Sequence, residues 1–313
     1  MKFQVKGYTM RKGYYEDIST FLVKHSFHLR FFLSRLTRKS GIFKKIIERL
    51  LFQDDEIFVL PNNNFLNENS RNGSYKKDSA PITTTTISAD IEINQSFQKD
   101  DSLFLPVDLL KEAVKRASYI VTMNQCLCRR SNDCQDYPQD LGCIFLGPAA
   151  RNIPEKYGRQ ATVEEAFAQI DYAESVGLSH VMGRNKIDTI WMNVGPKEEL
   201  LTICHCCPCC CLWKVLPDIH PEISEKVMRL EGVNVKTKND QCILCKKCLG
   251  DDVCFGGAIY LDEAENKIRI RQKQCIGCGH CVHNCPKGVF DLSYTQESLD
   301  YVLDRMDALI DYR

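Results

Sequence analysis

The sequence predicts an α+β protein, and three observations carry that prediction. Apolar residues recur at three- and four-residue steps in three stretches, residues 18–51, 105–117 and 162–177, which is the helical period. Short β-branched runs at 189–194, 200–203 and 233–236 read as strands. Between Ala258 and Ile270, apolar and polar residues alternate around an acidic turn, as in a hairpin. At 313 residues with 44% apolar content, the chain is long enough for two domains with a real core.

At the N-terminus, Ile18, Phe21, Leu22, Leu29, Phe32, Leu33 and Leu36 mark one amphipathic helix. Phe43, Ile46, Ile47, Leu50 and Leu51 mark a second after Gly41. Residues 1–52 hold 12 Lys and Arg against 3 Asp and Glu, although the whole chain has no net charge. Two readings follow for residues 1–60: helices docked on the body or a partner subunit, or a basic anchor on an anionic membrane surface through residues 1–52. Nucleic-acid binding is not expected, since no recognised motif accompanies the charge. The first residues lack the apolar core of a secretion signal, and no run approaches the ~20 apolar residues of a spanning helix. A reducing, cytoplasmic location is expected, peripheral to the membrane if the anchor reading holds.

Residues 61–81 are rich in Asn, Ser and Gly and read as a flexible linker, followed by an extended stretch near Ile82–Ile93. Residues 82–235 are expected to form a cysteine-rich α/β domain. Pro106 opens a helix over LPVDLLKEAVKRAS. Thr162 and Glu165 form a capping-box pair for a helix whose apolar face is Val163, Ala166, Phe167 and Ile170, closed by Gly177. A further helix is expected at 221–230. After a module at 236–293, Thr295 caps a C-terminal helix (294–313) with Leu299, Val302, Leu303, Met306 and Leu309 on one face.

All 18 cysteines lie between Cys126 and Cys285, in blocks whose x1 and x2 gaps and direct neighbours make a poor disulfide framework. Metal ligation is the better account. The first block supplies Cys126, Cys128, Cys134 and Cys143, enough for one site of iron–sulfur or zinc type. Arg129 and Arg130 follow its x1 pair; they are ordinary surface arginines, or they raise a cluster's potential or dock an acidic partner. The second block, CHCCPCCC, supplies Cys204, Cys206, Cys207, Cys209, Cys210 and Cys211. Adjacent side chains diverge on an extended backbone, so neighbours there are expected to bind different irons of one cluster, or two clusters. Ten upstream thiols allow one cubane with six spare, two with two spare, or a less usual cluster; some thiols are left free and reactive in part of these arrangements. His180, His280 and His283 are expected to be packed or hydrogen-bonded and not ligands.

The last block holds two runs. Cys275, Cys278, Cys281 and Cys285 fall at x2, x2 and x3 spacing with Pro286 directly after; Cys242, Cys245 and Cys248 repeat the x2, x2 spacing, with Cys254 five residues on. From Cys242 onward the chain resembles bacterial-type two-cluster 4Fe-4S ferredoxin domains. The resemblance implies interlocked ligation: Cys242, Cys245, Cys248 and Cys285 on cluster one, and Cys275, Cys278, Cys281 and Cys254 on cluster two. Cys254 departs from the pattern, with a longer gap and Phe255-Gly256 where proline is usual.

Upstream, CLCRRSNDCQDYPQDLGCIFLG, GLSHVMGRNK and LLTICHCCPCCC are similar to a larger group of ferredoxin-containing iron–sulfur proteins of anaerobic archaea and bacteria, which implies electron transfer, further upstream clusters and anaerobic metabolism. Cys206-Cys207 also resembles the paired cysteines of heterodisulfide-reductase catalytic subunits, but Pro208 replaces the expected glycine, so that activity is not implied. No nucleotide loop, flavin or pyridine-nucleotide fingerprint is present. A partner such as a flavoprotein, hydrogenase or reductase is therefore expected to exchange electrons with the chain. Three functions stand: an electron carrier or redox subunit; an oxidoreductase whose upstream cluster binds substrate, with His205, the N-terminal arginines and spare thiols at the site; and a zinc-stabilised scaffold.

Overall fold

The computed structural model describes residues 27–71, 105–295 and 299–313. The expectations for Ile18, Phe21, Leu22, the second half of the linker, the stretch at 82–93 and the first turn that Thr295 would cap (296–298) lie outside those residues. In chain order the main elements are α1 (Leu29–Lys39), α2 (Gly41–Ile47), β1 (Glu56–Leu60), α3 (Pro106–Arg116), β2 (Ile120–Met123), α4 (Leu127–Ser131), β3 (Ile144–Leu146), β4 (Gly158–Gln160), α5 (Val163–Ser175), β5 (Ser179–Arg184), α6 (Lys186–Met192), β6 (Leu201–Cys206), α7 (Pro221–Ser224), β7 (Val227–Arg229), β8 (Asn234–Thr237), β9 (Ile259–Asp262), β10 (Lys267–Ile270), α8 (His280–Asn284), β11 (Phe290–Ser293) and α9 (Leu299–Leu309). The mixture is α+β, as expected.

Seven strands form one sheet in the order β4-β2-β3-β6-β5-β1-β7, antiparallel except for the β1–β7 pair. Side chains alternate between its faces. One face carries Phe58, Leu60, Ile120, Ile144, Leu146, Met182, Leu201 and Ile203 and is covered by α3, α5 and α9. That core runs without a break into the C-terminal module through Val235, Ile268, Phe290 and Leu292. The other face carries Ile57, Val59, Val121, Phe145 and Val181. The hairpin β9–β10 and the pair β8–β11 form the module.

The helix signals hold where capping chemistry is local. Pro106 stands at the start of α3, and Thr162 and Glu165 make the reciprocal capping box of α5. Elsewhere tertiary pairing overrides the local reading. Residues 189–194, expected to be a strand, lie largely within α6; residues 221–230 give only the short α7 and then β7, because Val227–Arg229 pairs with β1. Residues 56–60, within the stretch expected to be helical, form β1, where Ile57 and Val59 are buried between two neighbouring strands. Part of the stretch read as linker is packed: Phe65 and Leu66 enter the core, and Asn62 Nδ2 donates to the carbonyls of Glu174 and Leu178.

Helices α1 and α2 dock on the body. Arg38 Nε donates to the Ile219 carbonyl at 2.9 Å, the His220 amide donates to Thr37 Oγ1, and Lys44 pairs with Glu222. The face turned inward is Ser34 and Thr37, with Leu29, Phe32 and Leu33 exposed, so the apolar stripe is not the buried one. No helix among the described residues is long and apolar enough to cross a membrane.

Asp55, just before β1, is buried with Oδ1 accepting the Lys186 amide and Oδ2 unpartnered. Burial pushes its carboxyl up to about 7. The folded chain then holds this proton more tightly than the unfolded chain, whose pKa is near ~4, so stability falls as pH rises from ~4 through about 7. Asp55→Asn should raise stability at pH ~8 by about 4 kcal/mol and at pH ~5 by only about 1–2 kcal/mol, since the loss begins near pH ~4. Urea midpoints at the two pH values check this; equal gains at both would contradict it.

Candidate metal centres

The two cysteine runs of the module fold alike. In the first, Leu244 and Lys246 sit at φ 52° and 59°; at the matching positions of the second, Gly277 and Gly279 sit at 71° and 82°. These left-handed residues turn the loop so that successive thiols face inward. Cys254 and Cys285 also match, despite the missing proline. Each is followed three residues on by a left-handed glycine, Gly257 (63°) or Gly288 (59°). Each sulfur accepts a hydrogen bond from the amide four residues on, Ala258 at 3.3 Å and Val289 at 3.4 Å. One cavity is lined by Cys242, Cys245, Cys248 and Cys285, the other by Cys254, Cys275, Cys278 and Cys281. Each holds about 20 Å³. Four soft donors around a small closed space fit a cubane.

Lys246 is exposed and its left-handed backbone costs a non-glycine residue energy. Lys246→Gly is expected to raise stability by about 0.5–1 kcal/mol. The urea midpoint of the anaerobic protein measures it, and a lowered midpoint would deny the strain.

Strand register builds the upstream site. Cys143 immediately precedes β3, and Cys204 lies in β6 one step beyond the Ile144–Ile203 pair. Their sulfurs meet at 2.8 Å. On β6, Cys204 and Cys206 share the face away from α3, α5 and α9. They line a cavity of about 340 Å³ together with Cys126, Cys128, Cys143 and Cys211. Cys207 and the apolar side chains Phe27, Leu51, Trp191 and Trp213 also reach it. The thiols stand close enough to oppose one another's ionisation: hydrogen bonding from Cys128 draws Cys126 down to about 5, while Cys128, Cys204 and Cys206 are driven well up by their thiol partners and by burial. A bound cation would relieve that repulsion.

The remaining upstream cysteines gather at the end of the sheet. The sulfurs of Cys134, Cys207, Cys209 and Cys210 all lie within 4.8 Å of one another, with Cys134 and Cys209 at 3.6 Å. Adjacent Cys209 and Cys210 converge, contrary to expectation, because residues 208–210 form a turn and not an extended strand. Each of the 18 cysteines is free of disulfide bonding.

Arg129 is no surface arginine. It is 1% exposed, and its guanidinium donates to the carbonyls of Pro138 (2.8 Å), His205 (2.7 Å) and Leu141. Burial opposes its charge, but Cys126, Cys207, Cys206 and Cys143 outweigh it and hold the guanidinium above its usual value. It cannot dock a partner; it supplies positive charge between the two upstream thiol groups. Arg130 stays exposed, donating to Gln139 Oε1.

The buried histidines His180, His205 and His280 each make a ring-nitrogen contact, while His205 Nε2 and His280 Nδ1 are buried without a partner. His205 falls between Cys204 and Cys206 on β6 and so faces the opposite side, where its Nδ1 meets His180 Nδ1 at 2.9 Å; His180 Nε2 lies 2.7 Å from Glu174 Oε1. His205 lines the large cavity between Cys204 and Cys206, while its ring turns to His180. His280, buried against Phe65 and Phe255, places Nε2 2.9 Å from Ser179 Oγ and 3.2 Å from the Cys206 carbonyl. Burial lowers its pKa to about 3, so it is neutral. Ser179 Oγ donates to the Cys278 carbonyl at 2.7 Å. The module loop that carries Cys278 is thus tied to the strand that carries Cys206. Phe255, Ile276 and Cys278 share one apolar cluster with Cys206, Cys211 and Trp213.

Asp188, Ser179 and the two tryptophans carry no sequence signal. Asp188 lines the large cavity, fully buried, and accepts from Thr202, Asn185 and Trp191; burial pushes it up to about 6. Only the fold brings α6 over β6.

Residues 241–289 match the 4Fe-4S dicluster domain family. The C-terminal module is such a domain. The chain is 40% identical over 47 residues to an archaeal-type glutamate synthase (NADPH) of Dehalococcoides mccartyi, covering 15% of this chain and 9% of that protein. It is 35% identical over 63 residues to the electron transport protein HydN of Escherichia coli, covering 20% of this chain and 34% of that protein. The match thus spans about a third or less of these relatives' length. No solved structure matches the chain.

Proposed function

We propose that the protein relays single electrons between a partner and an upstream iron–sulfur centre. The observation that carries this reading is the Cys278–Ser179–His280–Cys206 contact, which joins the dicluster domain to the wall of the six-thiol cavity. Clusters held by thiolates exchange one electron each with little reorganisation, at potentials set by hydrogen bonds and burial. Cys242, Cys245, Cys248 and Cys285 would hold the outer cluster, and Cys254, Cys275, Cys278 and Cys281 the inner one. Cys126, Cys128, Cys143, Cys204, Cys206 and Cys211 would hold the upstream centre. The chain exposes Cys245 and Ile243 beside Lys246 and Lys247, an apolar and basic surface where a redox partner with an acidic face fits. Similarity to HydN and to a glutamate synthase segment supports electron transport and leaves the partner's class, whether flavoprotein, hydrogenase or reductase, to experiment. The amides of Ala258 and Val289 donate to the sulfurs of Cys254 and Cys285, and buried His280 bridges the two halves.

Anaerobic purification with iron and sulfide counts, followed by EPR during reductive titration, tests the relay. Iron beyond about eight per chain, and magnetic coupling between the inner cluster and a further centre, are expected. About eight irons and no third signal would confine the clusters to the dicluster domain and sink the upstream half of the reading.

A second reading rests on the cavity's size. About 340 Å³ against about 20 Å³ for each dicluster cavity is more than a cubane needs. The apolar wall with one protonatable acid, Asp188, would suit an oxidoreductase that binds a small substrate beside its upstream cluster. EPR signals altered by cyanide or small thiols would favour it over simple relay.

A further inference from the structure

The ten upstream cysteines do not form one undifferentiated pool. The structure divides them into six around the large cavity and four at the sheet end, and the four differ in kind from every other thiol group in the chain. Among the described residues, Cys134, Cys207, Cys209 and Cys210 are the one set of three or more potential ligands whose donor atoms all lie within 4.8 Å of one another. Neither dicluster set meets that condition, although each surrounds its own cavity.

The difference has a simple geometric meaning. Four thiolates about 2.3 Å from a single tetrahedral ion lie about 3.8 Å apart. The Cys134–Cys209 separation is 3.6 Å. A cubane spreads its thiolates over four separate irons, so their sulfurs do not all fall within 4.8 Å of one another, and neither dicluster set does. We propose that Cys134, Cys207, Cys209 and Cys210 form a closed mononuclear site for one thiophilic divalent cation, zinc or ferrous iron, separate from the iron–sulfur centres. This deepens the upstream half of the proposed function, resting on its premise that these thiols bind metal.

The surroundings suit a closed structural site. Leu141, Tyr172, Ala173 and Leu178 encase it, with Cys207 1% and Cys210 5% exposed. Gln139 Nε2 donates to the Cys134 carbonyl at 3.0 Å and Asn132 Nδ2 to the Cys210 carbonyl at 3.3 Å, which fixes both ligand loops from behind. Four thiolates on a divalent cation leave net negative charge, and the buried Arg129 lies where it feels Cys207 as well as the cavity thiols. The role follows from connectivity. Cys134 belongs to the segment that carries Cys126, Cys128 and Cys143; the other three belong to the turn between Cys206 and Cys211. One ion there clamps together the two segments that furnish all six cavity cysteines.

The test uses the full chain purified anaerobically. Elemental analysis should find about one zinc, or one high-spin tetrathiolate iron by EPR or Mössbauer spectroscopy, beyond the cluster iron. Cys134→Ser and Cys209→Ser should each lose that equivalent while the dicluster EPR signals persist. A native chain with no metal outside its clusters, or variants that lose iron in groups of about four, would overturn the proposal. Should the variants fail to fold, the native chain produced with cobalt decides: tetrahedral cobalt–tetrathiolate absorption supports the site, and its absence refutes it. The relay fails separately, through the dicluster signals themselves.

Discussion

Cys275→Ala, purified without oxygen, is expected to lose about four irons and to leave any upstream centre unreducible through the dicluster domain. Cys275 lines the inner cavity with Cys254, Cys278 and Cys281, and that cavity abuts the Ser179–His280 contact to Cys206. Cys242→Ala should lose the same amount of iron from the outer site. Its inner cluster would still be reduced by a small reductant such as dithionite, whereas electron entry from a protein partner should slow at least tenfold. The two variants therefore separate position along the path from iron content alone. Equal behaviour towards dithionite and towards a protein donor would show that the two halves of the domain are not in series.

Arg129→Leu carries the other large effect. It strands the carbonyls of Pro138, Leu141 and His205 without a donor and removes the positive charge lying among Cys126, Cys206, Cys207 and Cys143. Removing one partner from a buried charged network costs about 3–5 kcal/mol. The expected outcome is a chain that retains the dicluster clusters but loses upstream metal and melts well below the native protein. Arg129→Lys keeps the charge and cannot span three carbonyls, so it should recover metal binding in part. Full metal content in Arg129→Leu would show that the guanidinium is packing and nothing more.

The dicluster domain was legible because its cysteines are close in sequence at the family's spacing: x2 gaps set each loop, and the fourth cysteine lining each cavity comes from the other run. The Cys254 loop departs from the usual proline yet folds like the Cys285 loop, since Gly257 supplies the same left-handed turn as Gly288. Helices with local caps, such as α5 with Thr162 and Glu165, were legible for the same reason. The stretches at 189–194 and 221–230 were not. Their local patterns suit either state, and pairing with or packing over distant strands decides.

By itself the sequence identified a 4Fe-4S dicluster domain at the C-terminus and the two cysteine runs that carry it, because those spacing rules act over a dozen residues. Only the tertiary structure decided how the ten upstream thiols divide. Cys143 meets Cys204 through sheet register, Cys134 meets Cys207, Cys209 and Cys210 through a turn at the sheet end, and Arg129 is buried between them. Contacts between residues some sixty or more positions apart depend on the strand order and on which face of the sheet each side chain takes, and no local spacing encodes either.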